Sequence, residues 1–132
     1  MISGSGSALL DTNIVIAYLK RDWAVRSQWQ VLPNLYLPLT ALGELDCGAY
    51  KAVRHDHVLT QIHDLLRVVI LLTPTGTTAK CYGQIKAELA VAGTPIPQND
   101  IWIAALAKEY QLPLATRDQH FKQVQGLIVL DW

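Results

Sequence analysis

At 132 residues, 51% hydrophobic and 17% charged, the chain fits one domain over 1–132, with a sizeable core and no room for a second. Eleven basic and eleven acidic side chains cancel, which excludes the bulk attraction behind non-specific nucleic-acid binding and leaves any such role to a local site. Cys47 and Cys81 stand alone, with no CxxC and no histidine at finger spacing, so they read as buried thiols in a reducing cytoplasm rather than a disulfide framework.

The segment MISGSGSALLD lacks a basic region ahead of its short apolar run, and no stretch approaches membrane-spanning length. The expectation is a cytoplasmic protein without membrane contact, with 1–7 as a flexible tail. Ala8, Leu9 and Leu10 then run apolar into Asp11, Thr12 and Asn13, ahead of the helical pattern Ile14, Ala17, Tyr18: strand, acidic turn, helix. Asp22 can cap a second helix carrying Trp23, Val25, Trp29 and Leu32, which Pro33 and Asn34 break. A second strand over 35–39 precedes a third helix, capped by Thr40 and running to about 52, with Ala41, Leu45, Gly48 and Ala49 on one face and Glu44 at its border.

A fourth helix over 54–67 leads into 68–72, a continuous apolar run of the kind buried in parallel sheets. A fifth helix over 77–92 is closed by Gly93 and Pro95. Asn99 is a good N-cap for a helix over 100–110, with Asp100 favoured by the helix dipole in its first turn. Leu114 and Ala115 make a very short strand that stops at Thr116, Arg117 and Asp118, and 127–130 supplies the last strand. Strands alternating with helices predict an α/β/α sandwich on a parallel sheet with right-handed crossovers. In such sheets ligands bind at the C-terminal edge of the strands, where Asp118 and the start of the Asp100 helix fall. Trp23, Trp29, Tyr36 and Tyr50 read mostly as core, those on the early helices being also candidates for a groove that takes a partner helix.

Four acids thus occupy comparable places: Asp11, Glu44, Asp100 and Asp118. Singly each has an ordinary reading, as a turn former, a dipole-favoured first-turn acid or a solvated helix residue. In order, however, LLDTN, the Thr40 to Glu44 spacing in TALGEL, NDIWIAALA and ATRDQHF resemble the successive motifs of the PIN-domain nucleases, and most closely the VapC-type toxins of bacterial type II toxin–antitoxin pairs. The resemblance spans 9–130. It implies a five-stranded parallel sheet flanked by helices, Mg²⁺- or Mn²⁺-dependent endoribonuclease activity on RNA, and neutralisation by a cognate antitoxin. Residue by residue, Asp11, Glu44, Asp100 and Asp118 match the family's acidic positions, while Asn13 and Thr116 match polar positions close to the metal. No motif transfers to 51–94.

The chemistry asks for these residue types independently. Mg²⁺ prefers oxygen ligands and keeps several waters, so a few carboxylates and a substrate phosphate suit it better than a closed cage. Two carboxylates ~4 Å apart at an effective dielectric of ~20 repel by roughly 4 kcal/mol, so a gathered set calls for a cation and should raise its members' pKa values. Asp11, Asp100 and Asp118 are expected nearest the metal, Glu44 ligating or positioning the attacking water, and Asn13 and Thr116 orienting both. Arg117 and His120 are candidate phosphate contacts, with a surface salt bridge and an ordinary loop histidine as their alternatives. His55, His57 and His63 suggest zinc only weakly, for want of partner ligands. The apolar composition predicts a homodimer. The alternatives are a PIN nuclease of RNA processing without an antitoxin, a non-catalytic RNA-binding module, and a receiver-like signalling module. The last normally has an acidic pair after the first strand and a lysine after a late one; LLDTN has one acid, and Thr116 stands where the lysine would.

Overall fold

The computed structural model describes residues 6–132. Its elements are β1 (Ser7–Leu10), α1 (Thr12–Leu19), α2 (Trp23–Val31), β2 (Asn34–Pro38), α3 (Leu39–Lys51), α4 (His55–Leu65), β3 (Ile70–Leu72), α5 (Gly76–Ala92), α6 (Gln98–Tyr110), β4 (Leu114–Ala115), a 3-10 helix Gln119–Gln123, and β5 (Val129–Leu130). The five strands form one sheet in the order β3-β2-β1-β4-β5, and every pairing is parallel. Successive side chains of a strand point to opposite faces, and all four residues of β1 are buried, so helices cover the sheet on both sides. The result is the α/β/α sandwich predicted from the alternation of elements.

The strand order positions the site. The chain leaves β1 toward β2 and β3 on one side, then crosses back to β4 and β5 on the other, which makes the β1/β4 boundary the switch point of the sheet. Leu10 is in register with Ala115, so the residues that follow, Asp11 and Thr116, emerge side by side. α6 reaches the same rim from the opposite direction. Gln111 ends it in the left-handed conformation (φ 55), with Leu112 N–H donating to the Ala107 carbonyl, and the chain reverses through Pro113 into β4. The first turn of α6, carrying Asp100, therefore lies where β4 ends. Six residues of α6 are buried, Ile101 and the unbroken run from Ile103 to Ala107, so the helix is anchored on most of its circumference.

Several boundaries depart from expectation. Ser7 is buried in β1 and so does not belong to a tail, while 1–5 of that expectation lie outside the described residues. Thr40 and Asn99 are inside their helices rather than capping them; Pro38 and Pro97 take the cap positions. Neither proline offers a side-chain acceptor to the first-turn amides; at α6 the Pro97 carbonyl takes the N–H groups of Asp100 and Ile101. α4 is shorter than 54–67, and the final strand shrinks to Val129–Leu130. The 68–72 run is not a buried central strand: β3 starts at Ile70 and forms the edge of the sheet, leaving Val68, Ile70 and Leu71 exposed. Cys47 is exposed and Cys81 partly so, which corrects the expectation of buried thiols. α3 buries Ala41, Leu45 and Ala49 at intervals of four, and Cys47 falls off that stripe, as does the exposed Gly48. Trp29 and Tyr36 are core, Trp29 stacking on Tyr18 at 3.9 Å, whereas Trp23 and Tyr50 are 81% and 69% exposed. Among the described residues no helix is long and apolar enough to cross a membrane.

Candidate active site

Asp11 extends the β1/β4 ladder by one hydrogen bond, its N–H donating to the Ala115 carbonyl at 3.0 Å, and its side chain caps α1 by accepting from Thr12 N–H at 2.8 Å. Its second oxygen accepts from Thr116 Oγ1 at 2.7 Å and Asn13 Nδ2 at 3.2 Å. The Thr116 hydroxyl is fully buried and also accepts from Asp118 N–H at 3.0 Å. Asn13 Nδ2 lies 3.5 Å from Asp118 Oδ2, while Asn13 Oδ1 accepts from Arg117 N–H at 3.3 Å. Thr116 and Asn13 thus stitch the loop after β1 to the loop after β4, with Asp11 and Asp118 in the seam.

Burial pushes Asp11 up from 3.8 to about 6, against the donors Thr116 and Thr12, and the neighbouring Asp100 and Asp118 add to the rise. Asp100 is also raised, again chiefly by burial, with His120 opposing. Crowding of the acids was expected to drive such shifts; loss of solvent is the larger cause. His120 Nε2 stands 2.6 Å from Asp100 Oδ2 and 3.9 Å from Asp118 Oδ2. Glu44 comes from exposed positions of α3 and accepts from Thr12 Oγ1 at 2.8 Å.

All four predicted acids line one open pocket of about 560 Å³, together with Thr12, Asn13, Asn99 and His120. Thr116 is buried and does not line it. Arg117 turns away from it: of its two readings the side chain makes the ion pair, Nη2 donating to Asp22 Oδ2 at 3.0 Å and Nε to the Trp132 carbonyl at 2.9 Å. Thr12 was not singled out from the sequence, although it stands inside LLDTN. Ligand atoms of Asp100, Asp118 and His120 lie within 4.8 Å of one another, the one such trio of His, Cys, Asp or Glu among the described residues. Asp11 lies outside that trio, and so do His55, His57 and His63, which leaves the zinc reading without a site. A second cavity, of about 500 Å³ between α5 and 123–125, has Glu88 as its only acidic lining residue.

The donor set fits a hard divalent cation. Two carboxylates converge with an imidazole at the pocket wall, a third carboxylate is buried beside them, and burial already disfavours the charge of Asp11 and Asp100 without a counter-ion.

Residues 8–127 match the PIN domain family. The Haemophilus influenzae protein named Ribonuclease VapC2 is 33% identical over 127 residues, covering 94% of this chain and 96% of that one. The Shigella flexneri protein named tRNA(fMet)-specific endonuclease VapC is 32% identical over 127 residues, with the same coverage. A DNA-bound VapBC structure from Salmonella typhimurium superposes with a TM-score of 0.90 at 26% identity, over 100% of this chain and 99% of that chain. These matches set aside the receiver-like alternative. With its acids gathered at the sheet's switch point and the match running from β1 to the last strand's approach, the chain belongs to the PIN-domain family, among its VapC members.

Proposed function

We propose that this protein is an endoribonuclease that hydrolyses RNA phosphodiester bonds with a divalent cation, Mg²⁺ or Mn²⁺, and acts as the toxin of a type II toxin–antitoxin pair. The observation that carries the reading is the convergence of Asp11, Glu44, Asp100 and Asp118 in one open pocket at the β1/β4 switch point. Asp100 and Asp118 would hold the cation, with Asp11 beside them. When bound, the cation acidifies a water and neutralises charge developing on the phosphate. Thr116 and Asn13 fix the Asp11 carboxylate, so its orientation costs nothing further when substrate arrives. Glu44 is steadied by Thr12 and exposed to solvent, a position suited to orient the attacking water and accept its proton. The water oxygen bonds to phosphorus, the bond from phosphorus to the leaving ribose oxygen breaks, and that oxygen takes up a proton.

The relatives' names support the ribonuclease assignment, and the Shigella relative's makes tRNA the first RNA to test. The exposed Trp23 and Val31 on α2 and the edge strand β3 offer apolar surface that an antitoxin segment and a second copy of the chain would cover. Purified protein should cleave RNA with Mg²⁺ or Mn²⁺ and stop in EDTA. Asp11→Asn, Asp100→Asn and Asp118→Asn should each lose most activity while remaining folded. Full activity in EDTA, or in any two of these variants, overturns the proposal. Sedimentation and co-purification with the product of an adjacent small gene check the partners.

A further inference from the structure

The trio that faces the pocket contains a nitrogen. His120 sits on the 3-10 helix Gln119–Gln123, next to Phe121, which is fully buried and fastens that helix to the core. Its Nε2 is 2.6 Å from Asp100 Oδ2, a hydrogen-bond contact, with Asp118 Oδ2 at 3.9 Å within ion-pair reach. Asp11 differs: both of its oxygens are engaged by Thr12, Asn13 and Thr116. Among the described histidines, cysteines and acids, only Asp100, Asp118 and His120 form a trio whose ligand atoms all lie within 4.8 Å of one another.

Imidazole is a poor ligand for Mg²⁺, which holds to oxygen and gives up water reluctantly, and a much better one for first-row transition ions. We infer that His120 Nε2 is a direct ligand of the cation alongside Asp100 and Asp118, and that the site consequently selects Mn²⁺ over Mg²⁺. Nε2 and Asp100 Oδ2 would hold the ion together in place of their present contact with each other. The inference rests on the metal-dependent reading above and names the cation that site takes.

The test uses Mn²⁺ alone, added to metal-free full-length protein without RNA. Electron spin echo modulation of the bound Mn²⁺ should carry the signature of a directly coordinated imidazole nitrogen, and His120→Gln should abolish it while still binding Mn²⁺. Titration calorimetry should show Mn²⁺ binding tighter than Mg²⁺ in the parent. His120→Gln should weaken Mn²⁺ by about ten-fold or more, at least what loss of an outer-sphere partner does, and leave Mg²⁺ nearly unchanged. His120→Asp should restore tight binding through oxygen with the preference for Mn²⁺ gone. Mn²⁺ bound to the parent without the nitrogen signature overturns the inference and leaves the metal-dependent reading standing. Persistence of the signature in His120→Gln, or an unchanged Mn²⁺ to Mg²⁺ ratio, overturns it as well. A parent protein that binds neither ion overturns both.

Discussion

Thr116 Oγ1 donates to Asp11 Oδ2 across 2.7 Å, and both residues are buried where β4 and β1 end side by side. The same hydroxyl accepts from Asp118 N–H, so one side chain ties an acid of the first strand to the loop bearing an acid of the fourth. This contact joins the fold to the chemistry, because it exists only if β1 and β4 pair in the observed register.

Replacing Thr116 by Val keeps the volume and removes the donor. A hydrogen bond to a charged, buried acceptor is worth about 1.5–3 kcal/mol, so Thr116→Val should lose stability on that scale at neutral pH and lose cleavage activity too. Thr116→Ser, which keeps the hydroxyl, should stay close to the parent in both. Urea melts and initial rates on the same preparations check this; a Val variant as stable and active as the Ser variant would mean that the hydroxyl holds nothing.

Asp11 and Asp118 were legible in the sequence because each follows an abrupt change from apolar to polar, Leu10 to Asp11 and Ala115 to Thr116, and Glu44 and Asp100 because they fall in the family's order with them. Partners were harder. Nothing local in TRDQHF says that Arg117 swings out to Asp22, 95 positions away, while His120 turns in to Asp100. A 3-10 helix of five residues is too short to show a period, so His120 read as loop. The 68–72 run failed for a different reason: an apolar stretch says strand, but whether a strand is central or at the edge depends on neighbours elsewhere in the chain. Cys47 was legible from its spacing to Leu45 and Ala49, and the general habit of cysteine to be buried misled.

Stability without metal should depend on pH through Asp11. Its folded pKa of about 6 lies above the ordinary 3.8, so between these values the folded state binds the extra proton. Stability should therefore fall as pH rises from about 4 to about 6 and stay low above that, a change on the order of 3 kcal/mol for this group alone. Asp11→Asn cannot titrate and should flatten that slope, whatever its absolute stability. Melting temperatures in EDTA at several pH values from 4 to 8 give the comparison; parallel slopes in parent and variant would remove Asp11 as the source.

Thr12 and Glu44 should act as one unit. The hydroxyl's contact with Glu44 Oε1 at 2.8 Å is exposed, so its loss should barely change stability. It should change rate: Thr12→Val frees the carboxylate to leave the water it orients. If Thr12 works only through Glu44, Thr12→Val should slow the parent yet do nothing further in a Glu44→Gln background, a non-additivity that a double-mutant cycle on cleavage rate reads directly. Independent, multiplying effects would show that Thr12 touches substrate in its own right.

Asp118 separates a structural acid from a cation ligand. Its side chain is 48% exposed, and the nitrogens nearest its carboxylate, Asn13 Nδ2 at 3.5 Å and His120 Nε2 at 3.9 Å, are both distant, so the fold gains little from its charge. Asp118→Asn should accordingly leave the melting temperature in EDTA close to the parent's. A cation that binds only the folded site stabilises by about 2.7 kcal/mol at a hundred times its dissociation constant, and a ten-fold loss of affinity brings that to about 1.4 kcal/mol at the same concentration. For a domain of this size the difference is a few degrees in melting temperature. The parent should therefore gain clearly from Mn²⁺ or Mg²⁺ at pH 7.5, where the buried Asp11 is ionised, and Asp118→Asn should gain half as much or less. A variant that melts well below the parent in EDTA, yet gains as much from the cation, would make Asp118 a turn residue and move the cation site elsewhere in the pocket.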